Sequence, residues 1–313
     1  MDGLLGELLG VIEVGARPFW TIIDPAPPWL RWDFIAAGVT VVGAIALTAW
    51  LARTVDDLDP PRPLRVDHLL YIVLGMLPGA VIGGRLLHGL AYLDVYAADP
   101  GGLFDAGRGT LSLLGVVAGG TISGITVARL LASPWRRWLD LAAPVLLLAI
   151  AGAKFTQFLG GGGQGLPWDG PWAVAFLGPG PWKSVFPAVP AHPAQLYEAF
   201  WVLAGILPLS WLDSAGAIRR LPLRLRQHEG WLRARQAAGE EVAPGRFRFG
   251  LPYLFALGWW LAGRFAIGFT WRDDVVVGPL RAEQAMALAG LVAVALLVTI
   301  ATRMPSDPTV LEG

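Results

Sequence analysis

The sequence predicts an all-α polytopic membrane protein with about seven transmembrane helices, its N-terminus outside and its C-terminus in the cytoplasm. Three observations carry that prediction. Of the 313 residues, 55% are hydrophobic and the mean hydropathy is +0.55. Charged residues make up 15%, where soluble domains carry about 25%. Arginines, finally, collect in every second segment between long apolar runs. The composition also excludes functions. Lys+Arg and Asp+Glu cancel at 24 each, so no basic surplus points to nucleic acid. Cysteine is absent, which removes disulfides, thiolate metal sites and a cysteine nucleophile belonging to this chain. No metal or cofactor is expected. Fifteen Trp, 40 Gly and 25 Pro suit interfacial anchors, close helix contacts and structured loops.

From the N-terminus, residues 1–32 form an interfacial segment. Met1-Asp2-Gly3 lacks the basic start of a signal peptide. Leu4, Leu5, Leu8, Leu9, Val11 and Ile12 recur at helical spacing, so Leu4–Val14 is expected to be an amphipathic helix lying on the membrane surface. The membrane domain covers 33–302, with spans near 33–52, 67–93, 111–132, 138–159, 193–213, 249–270 and 281–302, each near the roughly 20 residues a bilayer needs. A tail follows at 303–313. Loops after the first and third spans carry Arg53, Arg62 and Arg65, then Arg129, Arg136 and Arg137. Segment 214–248 carries eight arginines, and Leu223–Ala238 reads as a basic helix suited to anionic headgroups or as a plain orientation-setting loop. The alternate loops hold one cation each: Arg108, Lys183 and Arg272. Positive charge marks the cytoplasmic side, which fixes the orientation. The outer loop 160–191 opens on Gly160–Gly163, a run suited to backbone access or to ending a helix. Its Trp168, Trp172 and Trp182 read as interfacial anchors.

Ionisable groups inside spans are costly and point to function. The topology puts Arg85, His88, Lys154, Gln157, His192, Gln195, Tyr197, Glu198 and Arg264 at one outer depth on four helices. Singly, each cation could snorkel to the interface, with Glu198 as a partner. Together they predict an outward-facing, net positive pocket suited to a phosphate headgroup, with arginine supplying forked donors.

His192-Pro193-Ala194-Gln195-Leu196-Tyr197-Glu198 resembles the H-P-[SA]-Q-L-Y-E signature of prolipoprotein diacylglyceryl transferases. Gly83-Gly84-Arg85 resembles that family's G-G-R. Gly109-Thr110-Leu111-Ser112 with Gly115, Asp140 with Ala143-Pro144 and Gly152, and Arg264 followed by Arg272-Asp273-Asp274 and Gln284 resemble further family segments in the right order. The likeness runs over about 31–302. It implies transfer of the diacylglyceryl group of phosphatidylglycerol to the lipobox cysteine of a prolipoprotein in the bacterial plasma (inner) membrane. Phosphatidylglycerol, prolipoprotein signal peptides and membrane lipids are then the partners, with no nucleic acid and room for a membrane-complex partner. His192, Glu198 and Tyr197 are the implied catalytic set; Arg85, Lys154, Gln157 and Arg264 are the implied phosphate and lipid ligands. The departures cluster. Leu114 stands where the family has histidine, Lys154 for arginine, Gln157 for asparagine, and Asp33 for tyrosine. Gly160, Gly162 and Gly268 stand for Asn, Glu and Glu. The alternative is therefore a catalytically reduced relative that binds phospholipid or serves as a subunit of a membrane complex. A transporter would need polar groups along the whole path, and the inner halves of these spans are mostly apolar.

Overall fold

A computed structural model describes residues 12–15, 31–56, 64–105, 111–177, 183, 186–212 and 250–303. The described elements are, in chain order, β1 (Ile12–Gly15), α1 (Trp32–Asp56), α2 (Val66–Ala91), α3 (Leu93–Ala98), α4 (Leu113–Leu130), α5 (Trp135–Leu159), β2 (Val174–Leu177), α6 (Ala194–Ala204), α7 (Ile206–Leu212), α8 (Leu251–Ile267), β3 (Val275–Val277), β4 (Leu280–Arg281) and α9 (Ala282–Arg303). Each of the seven expected runs contains a described helix. Among the described residues, five helices are long and apolar enough to cross a membrane: Trp32–Thr54, Val66–Ala91, Leu113–Leu130, Trp135–Leu159 and Ala282–Arg303. The fifth expected span is divided at Gly205 into α6 and α7. Pro208 explains the break, because it lacks an N–H and its ring crowds the carbonyl four residues back, at Ala204. The sixth, α8, is 17 residues long and tightens into a 3₁₀ turn over Gly268–Thr270.

The chain divides into two compact units. One comprises Met1–Leu47, Val145–Gly205 and Ala262–Ala287; the other comprises Thr48–Pro144, Ile206–Leu261 and Leu288–Gly313. In the first, Leu147, Ile150, Ala173, Val174, Phe176, Ala194 and Val202 form a buried apolar core. β1 and β2 pair in parallel, Ile12 opposite Val174 and Gly15 opposite Leu177. This corrects the helix expected over Leu4–Val14 where it can be followed: Ile12–Val14 is extended, and residues 4–11 lie outside the described residues. The reason is the partner, since β2 presents a row of backbone groups and the β-branched Ile12 and Val14 suit a pleated strand. The described part of loop 160–191 is likewise built. Val174 exchanges backbone bonds with Ala191, and Gln164 Nε2 donates to the carbonyls of Val174 and Pro187 at 3.4 and 3.2 Å.

In the second unit, α2 and α4 cross on small residues. A Cβ on Gly83 would overlap the Gly115 carbonyl, one on Gly115 the Gly83 carbonyl, and one on Gly119 the Gly79 carbonyl. Such stripes let two backbones meet in lipid, where dispersion rather than the hydrophobic effect holds helices together. Ser123 Oγ donates to the Gly75 carbonyl, and the Ser112 N–H donates to the Gly84 carbonyl at 3.0 Å. Asp140 accepts the Gly250 N–H at 2.7 Å, fastening the start of α8. Basic segment 214–248, with its expected Leu223–Ala238 helix, and tail residues 304–313 lie outside the described residues.

Candidate active site

The first unit gathers Lys154 and Gln157 from α5, Glu198 from α6, Arg264 from α8 and Glu283 from α9. Glu198 is completely buried, and its Oε2 takes Lys154 Nζ at 3.2 Å and Arg264 Nη1 at 2.9 Å. Arg264 Nη2 pairs with Glu283, and Lys154 Nζ lies 3.4 Å from Gln157 Oε1. The α5 spacing explains the last contact, since residues three apart share a helix face. The indole of Trp271 lies under both cations, 4.6 Å from Lys154 Nζ and 4.5 Å from the guanidinium carbon of Arg264. Buried charges survive only when paired and hydrogen-bonded. Here two carboxylates and an aromatic face supply the pairing, which an aromatic quadrupole strengthens by about 0.5–2 kcal/mol per cation.

Two cations of the expected net positive pocket are thus paired within the first unit. Lys154 and Arg264 are balanced by Glu198 and Glu283. Sequence reasoning named Glu198 but missed Glu283 and Trp271. A signal for Glu283 existed: it is a carboxylate in the first turn of an otherwise apolar helix. Trp271 gave none, because an aromatic beside a span end is ordinarily an anchor. Gly268, where the family has glutamate, also finds a reason. A Cβ there would overlap the Gln284 side chain, whose Nε2 donates to the Phe265 carbonyl at 3.0 Å and whose Oε1 accepts the Arg281 N–H at 3.0 Å.

His192 sits at the mouth of α6 with Trp168 stacked on its ring, centroids 4.4 Å apart and planes 8° apart. Its Nδ1 lies 3.2 Å from the Tyr197 hydroxyl, which accepts a bond from Trp172 Nε1 at 2.6 Å. Trp168 and Trp172 are thus packing partners of the expected site as well as loop aromatics; Trp182 lies outside the described residues. Burial holds the His192 imidazole below its ordinary pKa. The glycine run ties these pieces together. Gln195 Nε2 donates to the Gly162 carbonyl at 2.6 Å, Gly163 has a φ of +66° beside Trp271, and the Gly165 N–H donates to the His192 carbonyl at 2.9 Å. At the head of α1, Asp33 stands where the family has tyrosine; it takes two bonds from Arg31, at 2.9 and 2.7 Å, and packs against Gly160.

Arg85 belongs to the second unit. Its Nη2 donates to the Asp105 carbonyl at 2.7 Å, while Nη1 is buried without a hydrogen-bond partner among the described residues. In the same unit Leu114 is a buried apolar residue, and His88 packs against Tyr92 and Tyr96 at 4.7 and 5.8 Å. Among the described residues, no group of three or more His, Cys, Asp or Glu side chains could hold a metal ion.

Apolar helices of membrane-crossing length and a buried charge cluster define the class: a polytopic helical membrane protein with an ionic site. A family model for prolipoprotein diacylglyceryl transferase matches residues 31–225. The chain belongs to the prolipoprotein diacylglyceryl transferase family. It is 29% identical over 204 residues to the phosphatidylglycerol–prolipoprotein diacylglyceryl transferase of Synechococcus elongatus, covering 65% of this chain and 68% of that protein. The like-named protein of Trichormus variabilis is 24% identical over 277 residues, 86% of this chain and 85% of the relative. That of Bacillus cereus strain Q1 is 26% identical over 272 residues, 85% and 87% respectively.

Proposed function

We propose that the chain transfers the diacylglyceryl group of phosphatidylglycerol to the lipobox cysteine of a prolipoprotein in a bacterial plasma membrane. The observation that carries this reading is the Lys154–Glu198–Arg264–Glu283 cluster on four helices, placed in a family named for that activity. In our reading α6–α7 and α8 are the remaining two spans, giving seven with the N-terminus outside, as the alternation of arginines supports.

In the reaction the substrate thiol loses its proton, sulfur attacks the glyceryl carbon, and the carbon–oxygen bond to phosphate breaks. Glycerol phosphate leaves with one more negative charge than the diester carried. Catalysis needs a proton acceptor and fixed donors around that growing charge. His192 suits the role of acceptor, because burial favours its neutral form while Tyr197 and Trp168 fix its ring. Lys154, Gln157 and Arg264 supply the donors, with Glu198 and Glu283 holding the cations in place. Lysine keeps the charge of the family's arginine without its fork. Arg85, in the second unit, suits the role of a lipid-phosphate ligand through Nη1, which has no hydrogen-bond partner among the described residues. Glu198 is a positioning residue here, because its Oε2 already serves two cations.

One observation favours a second reading, a catalytically reduced relative that binds phospholipid or serves a membrane complex. Lys154 and Arg264 both have carboxylate partners, and the family's histidine position holds buried Leu114. Transfer of a labelled diacylglyceryl group from phosphatidylglycerol to a lipobox peptide separates the two. Thioether product that is lost in Arg264→Ala and His192→Ala supports the enzyme. Folded protein that binds the lipid and forms no product overturns it in favour of the second reading.

A further inference from the structure

β3 and β4 form a hairpin between α8 and α9. Val277 pairs with Leu280 across a turn made by Gly278 and Pro279, and Gly278 takes the positive φ, +55°, that a two-residue hairpin turn favours. Val275 pairs with Arg281, and Val276 is the extra residue of a bulge between the two pairs. The base of the hairpin is fastened. Arg281 Nε donates to the Asp273 carbonyl at 2.8 Å, and β4 packs against the 3₁₀ turn Gly268–Thr270. Beyond that base, Val275–Leu280 carries no charge.

Val275, Val276 and Val277 are 59, 61 and 60% exposed. A two-stranded ribbon in water ordinarily packs one face on a core and turns polar side chains outward on the other. β3 does neither, since all three of its side chains are apolar and all three are open. Phe269, in the 3₁₀ turn beside β4, is also exposed. Single apolar residues are ordinary at a protein surface; three in a row beside a phenylalanine mark contact with an apolar partner.

The register says which partner. Residues paired across an antiparallel ladder stand about 5 Å apart, and Arg281 immediately precedes Ala282, the first residue of α9. Val275 is thereby held at the very end of a helix long and apolar enough to cross a membrane, one that protein leaves largely uncovered. The exposed valines thus continue the surface that α9 presents to lipid. Lipid surrounds three side chains at once, whereas a docked peptide or a second copy covers only the side it meets. Backbone groups left unanswered at the bulge keep the hairpin within reach of headgroup water and out of the bilayer centre.

We propose that the β3–β4 hairpin is a membrane anchor, seated at the boundary of headgroups and acyl chains with Val275, Val276 and Val277 in contact with lipid. This role goes beyond the transferase reading and does not depend on it.

The chain has no cysteine, so one introduced residue takes a thiol label uniquely. Full-length Val276→Cys and Val277→Cys proteins carry the polarity-sensitive fluorophore NBD in nanodiscs of phosphatidylcholine and phosphatidylglycerol. Quenching by iodide reads contact with water, and quenching by a phospholipid with a nitroxide high on its acyl chain reads contact with lipid. Val39→Cys, exposed on the α1 span, and Asp169→Cys, exposed in loop 160–191, supply the lipid and water references. Both hairpin labels should emit to the blue of the Asp169 label, lose most of the iodide quenching seen there, and be quenched by the nitroxide lipid as strongly as the Val39 label. Iodide quenching equal to that at Asp169, with none from the nitroxide lipid, overturns the proposal. Shielding from both quenchers also overturns it and assigns the valines to a protein contact. Should the cysteine variants fail to fold, the unaltered chain answers. A phospholipid with a photoreactive diazirine on its acyl chain should then crosslink within Val275–Leu280, and adducts on α1 without any on the hairpin overturn the proposal.

Discussion

Replacing Glu198 by glutamine removes one charge from the centre of a buried cluster and changes almost no volume. In the native arrangement its Oε2 lies 3.2 Å from Lys154 Nζ and 2.9 Å from Arg264 Nη1, and the residue has no exposed surface. Two unit charges about 4 Å apart attract by roughly 4 kcal/mol at an effective dielectric of about 20. Glutamine still accepts a hydrogen bond, and Glu283 still neutralises Arg264, so the loss falls mainly on Lys154. Breaking a buried pair in this way costs about 3–5 kcal/mol. We expect about 3 kcal/mol, a fall in melting temperature on the order of 10 °C. Lys154→Met should cost about 1 kcal/mol, because it removes a buried charge together with its desolvation penalty and leaves Glu198 paired to Arg264. The double variant Lys154→Met/Glu198→Gln should then be less damaged than the sum by about 1–2 kcal/mol, the signature of groups in contact. Thermal unfolding in detergent, followed by tryptophan fluorescence, measures all four proteins; the chain has no cysteine for a thiol-reactive dye. A cost below about 1 kcal/mol for Glu198→Gln, or strict additivity, would show that Glu198 does not hold the two cations together.

Two helix glycines and one histidine offer further tests. Gly115→Ala should destabilise by about 2 kcal/mol or more, because its methyl overlaps the Gly83 carbonyl, whereas Gly38→Ala, with nothing within 4 Å of the added carbon, should be neutral or stabilising in the same melting assay. Burial lowers the His192 pKa from 6.5, so the unfolded chain binds the extra proton first as pH falls. Stability from this group is complete above about pH 6.5 and declines below it. If His192 is the proton acceptor, the acid limb of the pH–rate profile also lies below 6.5, and a limb at or above that value in wild-type protein would count against the role.

The spans were legible in the sequence because a bilayer imposes one strong local rule: about 20 apolar residues, with backbone groups satisfied inside the segment. Each expected run contains a described helix, five of them long and apolar enough to cross a membrane, and the break at Gly205 follows from Pro208. The polar residues worth attention were legible for the same reason, since Lys154, Glu198 and Arg264 are expensive inside an apolar run and must be held by something. Glu198 was legible as a partner for a cation; the rest of what holds them was not. Glu283 reaches Arg264 from 19 residues away, and Trp271 lies beneath two cations that stand 110 positions apart in the chain. No local pattern encodes either contact. Nor could a local pattern foresee that Ile12–Gly15 is a strand, because its backbone partners lie at Val174–Leu177. Composition and periodicity mark which segments enter the membrane and which side chains are costly there. How those charges are balanced emerges from the packed fold alone, because charge balance depends on distance in space, and packing sets that distance.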